Sequence, residues 1–245
     1  MIEQTIEIPT KDGATTTFIV HPEREGPHPV VLFFMDAPAI REELRDMARR
    51  IATVGYYVML PNLYYRRGVM ELADLPPLPE EAARARMFDL MGSLTIPGVM
   101  DDADALLDFA DRDLAAGKGP IATLGYCMSG QYAINYAARN RERVGAAASI
   151  YGVQLVTDQD DSPHLVAQKA RAELYFACAE TDRWAPLEMV EALDASVKQG
   201  RARAEVELYP GVEHGFAFPQ RAAYDKPSAE RHWERLFALW RRNLG

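Results

Sequence analysis

Cysteine is scarce. Two in 245 residues, Cys127 and Cys178, cannot staple a chain of this length, so a disulfide scaffold is excluded and a hydrophobic core has to hold the fold. Positive charge is also in deficit: the net charge is −9, with acidic residues spread along the chain and no basic stripe. That disfavours nucleic acid and anionic membrane surfaces as partners. No apolar run approaches the length of a membrane span, and Met1-Ile2-Glu3-Gln4-Thr5 lacks the basic and apolar blocks of a secretory signal, so a cytoplasmic location is expected. Internal repeats, low-complexity tracts and linkers are missing too. One domain over 1–245, as a monomer or small homo-oligomer, is the expectation. What is there, 48% hydrophobic and 26% charged residues, is the composition of an ordinary globular protein.

Short apolar runs rich in β-branched and aromatic residues recur with amphipathic segments between them, which predicts an α/β fold with a mostly parallel sheet and helices on both faces. The strand candidates are Val30 to Phe34, Tyr56 to Leu60, Ile121 to Leu124, Ala146 to Ile150, Leu174 to Cys178 and Val206 to Tyr209. A hairpin-like stretch, Thr5 to Ile8 and Thr16 to Val20, precedes them. Leu44, Met47, Ala48 and Ile51 recur at helical spacing; so do Met189, Val190, Leu193 and Val197 behind Pro186, and Trp233, Leu236, Phe237 and Trp240 behind Ser228, a candidate N-cap. Residues 62–98 break the alternation. Leu75-Pro76-Pro77-Leu78-Pro79 cannot be regular structure, and a helical piece from Glu80 to Met91 follows it. This excursion leaves the carboxyl end of a strand, where open α/β sheets place their ligand crevice, so it is expected to border the active site.

The run Ile121-Ala122-Thr123-Leu124 enters Gly125-Tyr126-Cys127-Met128-Ser129-Gly130, after which Gln131 to Arg139 can be helical. A nucleophile on a sharp strand-to-helix turn needs small residues two before and two after it, and Gly125 and Ser129 supply them around Cys127. The frame centred on Ser129 instead finds Cys127 and Gln131 in those places and fits less well. The start of a helix also favours a thiolate and offers N–H groups to an oxyanion. On the hexapeptide alone, a buried cysteine in a glycine-rich turn remains an open reading. Cys178, inside an apolar strand candidate, reads as a small hydrophobe.

A thiol nucleophile needs a base, and in this arrangement the acid and then the histidine follow it in the chain. Of five histidines, His21 and His28 precede the turn, His164 lies in a polar loop, and His232 adjoins the last helix's apolar stripe. His214 follows the last strand candidate, in Tyr209-Pro210-Gly211-Val212-Glu213-His214-Gly215-Phe216. Asp182 follows the strand ending near Cys178. Each alone is as readily a solvated loop residue; three in this order at strand ends make a candidate site.

With these segments the sequence resembles the dienelactone hydrolase (carboxymethylenebutenolidase) family of the α/β-hydrolase superfamily. The landmarks are Gly125 to Gly130, Pro61-Asn62-Leu63-Tyr64, the Glu-Thr-Asp stretch ending at Asp182 and the Glu-His-Gly-Phe stretch around His214. The resemblance covers nearly the whole chain. It implies an α/β-hydrolase fold and a Cys127, His214, Asp182 triad, with oxyanion-hole donors in the N–H groups of Ala37 and Met128. It also implies an acidic residue that helps ionise the thiol, for which Asp36 stands in position; a loop aspartate is the competing reading. Members that act on a carboxylated lactone hold its carboxylate with arginines, one of them four residues after the histidine. Phe218 stands there in this chain. Arg84 and Arg86 in the excursion, and Trp184 beside Asp182, are the remaining candidate substrate contacts.

The expected activity is hydrolysis of a small-molecule ester or enol-lactone through a thioester on Cys127, without cofactor or metal, since no ligand-spaced His/Cys cluster or phosphate loop is visible. A general carboxylesterase or thioesterase is the alternative within the enzyme class. A thiol-based redox sensor or binding protein is the alternative outside it.

Overall fold

The computed structural model describes residues 1–200 and 202–245. The chain forms two compact units, Met1–Lys118 and Gly119–Gly245.

The first unit opens with the hairpin β1 (Ile2–Thr10) and β2 (Gly13–His21), paired antiparallel from Ile2 opposite His21 to Thr10 opposite Gly13. β1 is an edge strand, mostly exposed and carrying Glu3 and Glu7, whose charges discourage pairing with another chain. β3 (Val30–Phe34) and β4 (Tyr57–Pro61) are buried at every position, as parallel strands covered on both faces are, and the order in this unit is β1-β2-β4-β3. Between them, α1 (Glu42–Ala52) buries Leu44, Met47, Ala48 and Ile51 and carries Glu42 and Glu43 in its first turn and Arg49 and Arg50 in its last, matching the helix dipole. α2 (Glu80–Gly92) follows the proline run and buries only Leu90.

The segment 62–98 is not all excursion. α3 (Ile96–Ala110) starts inside it, capped by Thr95, whose side chain accepts from the Gly98 N–H. Pro97 and Gly98 lie in its first turn. Proline is tolerated in a first helical turn, where its missing N–H has no partner to lose.

The second unit is a parallel sheet, β5 (Ile121–Tyr126), β6 (Val144–Ile150), β7 (Glu173–Thr181) and β8 (Arg203–Glu213), in that order. α4 (Gly130–Arg139) connects β5 to β6, a short α5 (Pro163–Val166) carries His164, α6 (Leu187–Gln199) connects β7 to β8, and α7 (Lys226–Leu244) ends the chain. Pro186 is the N-cap of α6, one residue outside the helix.

Two details of α7 correct the sequence reading. Phe237 is only half-buried and Leu239 takes its place in the core beside Trp233, Leu236 and Trp240. The cap is Asp225, whose Oδ1 accepts from the Ser228 N–H at 2.9 Å; Ser228 is the third residue of the helix. His232 lies within the stripe and is fully buried. Its Nδ1 meets the Ala229 carbonyl, which can only accept, so Nδ1 carries the proton and Nε2 accepts from the Tyr126 hydroxyl at 2.9 Å.

The cap assignment is testable by denaturation. Asp225→Ala should cost about 1 kcal/mol, whereas Ser228→Ala, which keeps the backbone bond to Asp225, should cost less than about half of that. Equal losses would return the cap to Ser228.

Candidate functional site

In the second unit, every parallel strand is followed immediately by a residue with a polar or aromatic side chain: Cys127 after β5, Tyr151 after β6, Asp182 after β7 and His214 after β8. Parallel strands in register end at a common edge of the sheet, and that edge is where this architecture gathers its chemistry.

Cys127 has φ +54, a left-handed conformation that costs a non-glycine residue on the order of 1–3 kcal/mol and persists only where the surroundings impose it. They do. The Cys127 carbonyl accepts from the Gly130 N–H and from the Val153 N–H at 3.1 Å. A Cβ added at Gly125 would lie 2.0 Å from the Ser129 carbonyl oxygen, and one at Gly130 would lie 2.2 Å from the Ser149 hydroxyl oxygen. Both glycines are therefore obligatory, and the small-residue requirement read from the sequence is met in backbone contact. Ser129 is fully buried in the turn. Gln131 donates to the Met128 carbonyl at 3.0 Å and to Gln154 at 3.1 Å, tying the turn to the loop after β6.

Asp182 sits in a turn of its own making. Its Oδ1 accepts from the backbone N–H groups of Trp184 at 2.8 Å and Ala185 at 3.2 Å, leaving Oδ2 for His214 Nδ1 at 2.6 Å. The carboxylate is wholly shielded from solvent and the imidazole nearly so. Three N–H donors converge on it, so this buried carboxylate has its hydrogen-bonding capacity answered. The alignment of His214 with Asp182 depends on a bulge: Tyr209 pairs with Ala179 and Glu213 with Thr181, so Pro210-Gly211-Val212 oppose Glu180 alone. Gly211, at φ +72, makes the bulge, and its N–H donates to Glu180 at 2.7 Å.

With Nδ1 given to Asp182, the other ring nitrogen of His214 is the one left for the Cys127 thiol, which acts on the pKa of the ring. Burial alone would lower the pKa of His214. The hydrogen bonds to Asp182 and Cys127, and their negative charges, outweigh it and lift the value from 6.5 to about 9. Cys178, by contrast, is buried in β7; desolvation, then the charges of Asp182 and Asp194, push its thiol up to about 12. It packs and does not react.

The remaining sequence candidates are distributed as follows. In the first unit, Asp36 is fully buried just beyond β3, and Arg41 grips both of its oxygens, at 2.5 Å and 3.2 Å, while also binding Glu43 at 2.8 Å. Burial disfavours the Arg41 charge, but Asp36 and Glu43 hold its pKa above the ordinary value. The sequence reading did not single out Arg41; an arginine five residues after Asp36 at the entry to α1 was the available signal. Ala37 is buried, and its carbonyl accepts from Tyr64 at 2.9 Å. Arg84 pairs with Glu80 along α2 at 2.9 Å, while Arg86 donates to the Pro76 carbonyl at 3.0 Å. In the second unit, Trp184 is 43% exposed, with the Arg183 guanidinium 4.6 Å from its ring centroid. Phe218 is buried, and Arg221 carries its guanidinium 5.0 Å from the Phe218 ring centroid.

Among the described residues, no group of three or more His, Cys, Asp or Glu side chains is placed to hold a metal ion, and no helix is long and apolar enough to cross a membrane.

Residues 15–244 match the family model described as the dienelactone hydrolase family. The chain belongs to that family. Among proteins similar to it, a "Putative carboxymethylenebutenolidase" of Escherichia coli K12 is 28% identical over 244 residues, covering 97% of this chain and 86% of that one. One of the same description from Methylorubrum extorquens is 26% identical and covers 100% and 82%. Among solved structures, a "Putative Dienelactone Hydrolase" of Klebsiella pneumoniae superposes with a TM-score of 0.87 at 26% identity over 98% of both chains. The acylaminoacyl peptidase of Pyrococcus horikoshii, at 15% identity and TM-score 0.74, covers 99% of this chain but 42% of its own, and shares the fold alone. The protein has the α/β-hydrolase fold and is a hydrolase of the dienelactone hydrolase family.

The raised pKa of His214 makes stability depend on pH with a definite sign. The native state holds the imidazole proton more tightly than the unfolded chain does, so this contribution is complete below about pH 6.5 and fades as pH rises through about 9. The difference in urea midpoint between the parent and His214→Gln should be largest near pH 6 and shrink by pH 9.5. A difference that grows with pH would contradict the assignment.

Proposed function

We propose that this enzyme hydrolyses small activated esters or enol-lactones through a thioester on Cys127. The observation that carries the reading is the 2.6 Å hydrogen bond between His214 Nδ1 and Asp182, on an imidazole whose pKa is raised by both Asp182 and the Cys127 thiol.

An imidazolium held between a carboxylate and a sulfur favours the thiolate, the reactive form of cysteine. The thiolate attacks the acyl carbon, the carbonyl pair moves to oxygen, and the Met128 N–H at the start of α4 stabilises the oxyanion. Collapse expels the alkoxide or enolate, which takes the proton of His214. Neutral His214 then removes a proton from water, hydroxide adds to the thioester, and the second tetrahedral species releases the acid and restores the thiolate and imidazolium. Asp182 keeps its bond to Nδ1 throughout, orienting the ring and stabilising its charge. Because thiolate is a better leaving group than an ordinary alkoxide, the first intermediate goes forward efficiently only when the departing oxygen is activated. Enol and aryl esters meet that condition, and amides do not.

Phe218 favours one further reading, a carboxylesterase for acyl groups without a carboxylate. The position four residues after His214 holds a fully buried phenylalanine packed 5.2 Å from Tyr126, where the resemblance expects a cation.

With 4-nitrophenyl acetate as substrate, Cys127→Ala and His214→Ala should each lose about 10³-fold or more in kcat/KM, and Asp182→Asn about 10²- to 10⁴-fold. Rapid quenching should trap an acyl group on Cys127. The alkaline limb of kcat/KM should fall with a midpoint near 9, where His214 loses its proton. Wild-type turnover in Cys127→Ala would end the thioester reading. A panel of carboxylated and uncarboxylated lactones decides the substrate question: equal or better turnover of the uncarboxylated compounds supports the role given to Phe218, and strong preference for the carboxylated ones overturns it.

A further inference from the structure

We propose that Tyr151 is a positioning residue for His214, holding the imidazole ring in the plane from which it faces the Cys127 thiol. The proposal rests on the thioester reading above, and three sets of contacts carry it.

The first is placement. Tyr151 follows β6 as Cys127, Asp182 and His214 follow their strands, so it occupies the fourth place on the edge where the other three meet. The second is conformation. Its φ is +36, and among the four it shares a positive φ only with Cys127. A bulky residue adopts this backbone only where it is imposed, and such residues concentrate at functional sites. Its N–H donates to the Ala177 carbonyl of β7 at 2.6 Å, and two residues on, Val153 donates to the Cys127 carbonyl. The strained segment is thus anchored on one side to the strand that delivers Asp182 and on the other to the nucleophile turn.

The third is what the side chain touches. The Tyr151 ring is 99% shielded from solvent and lies 4.9 Å from the His214 ring centroid, the planes inclined at 61°. Phe216 at 5.3 Å, Tyr126 at 5.7 Å and Phe218 at 6.0 Å surround it and fix its own orientation. The bond from Nδ1 to Asp182 constrains one edge of the imidazole but leaves the ring free to swing about that bond. An aromatic ring packed obliquely against it removes the swing, and edge-to-face contact is the favourable geometry for two such rings. Loss of the contact lets the other nitrogen drift from the sulfur, which weakens the help the imidazole gives the thiol and moves the pH profile of thiol alkylation.

The readout is the pH dependence of Cys127 alkylation by iodoacetamide, followed by peptide mass analysis so that Cys127 is scored apart from Cys178, together with kcat and KM for 4-nitrophenyl acetate. Tyr151→Phe keeps the ring and should stay within about twofold of the parent in kcat. In Tyr151→Leu the alkylation midpoint should move up by about one pH unit, and kcat should fall by about tenfold or more with a smaller change in KM. Tyr151→Met, whose unbranched side chain fills irregular space, reads the same profile if the leucine variant does not fold. An alkylation midpoint unmoved in a folded leucine or methionine variant overturns the proposal, and so does failure of both to fold, which would assign the ring to the core. If the parent's own Cys127 alkylates with the midpoint of an ordinary thiol, the thioester reading fails first, and the two failures are thereby told apart.

Discussion

The hydrogen bond of 2.6 Å between His214 and Asp182 is the constraint around which the second unit is arranged. A buried carboxylate and a buried imidazole are each costly alone, and joined they remain so unless every other acceptor site is answered. The turn Asp182-Arg183-Trp184-Ala185 answers one oxygen with two backbone N–H groups, and the bulge at Pro210-Gly211-Val212 brings His214 level with the other. Remove either device and a charge is left unpaired. In the proposed mechanism the thiol benefits from the same arrangement, because an imidazole whose pKa is lifted to about 9 is the partner a thiolate needs.

Strain at Cys127 is the counterpart of that arrangement. The turn packs β5, the start of α4 and the end of β6 so closely that Gly125, Gly130 and Gly152 admit no side chain: a Cβ at Gly152 would sit 2.1 Å from the Ser149 hydroxyl oxygen. That hydroxyl is buried with no hydrogen-bond partner among the described residues, an arrangement that costs on the order of 1–3 kcal/mol. A region that tolerates both a left-handed cysteine and an unanswered hydroxyl is one in which backbone approach outranks local stability, as expected where geometry serves chemistry.

How much of this was legible follows from how local each signal is. The elbow could be read because the steric demand on residues 125 and 129 is local and has a compositional answer. Asp182 and His214 could be placed because each lies at the end of an apolar run, although β7 and β8 both run further than their apolar cores, through Thr181 and Glu213. Tyr151 was not found: the run Ala146 to Ile150 ends on it, yet nothing in Tyr151-Gly152 announces a positive φ or a neighbour sixty-three residues away. α3 was missed because Pro97 and Gly98 carry the letters of a loop while occupying a helix's first turn. Asp225 lost to Ser228 as a cap because both are good caps and only the backbone decides.

The departures from the family pattern point in one direction. The acidic residue matched to thiol activation is bound through both oxygens to Arg41, which holds Glu43 as well, so its charge is balanced within its own unit. The position matched to the carboxylate-binding arginine is a buried phenylalanine. In the proposed mechanism, with phenylalanine at 218, activation of Cys127 is assigned to His214 and the helix start. On the proposed reading, a thiol prepared in this way does not require a particular anion to switch it on, and the selectivity it confers is for the leaving group, which must be a weak enough base to depart ahead of sulfur.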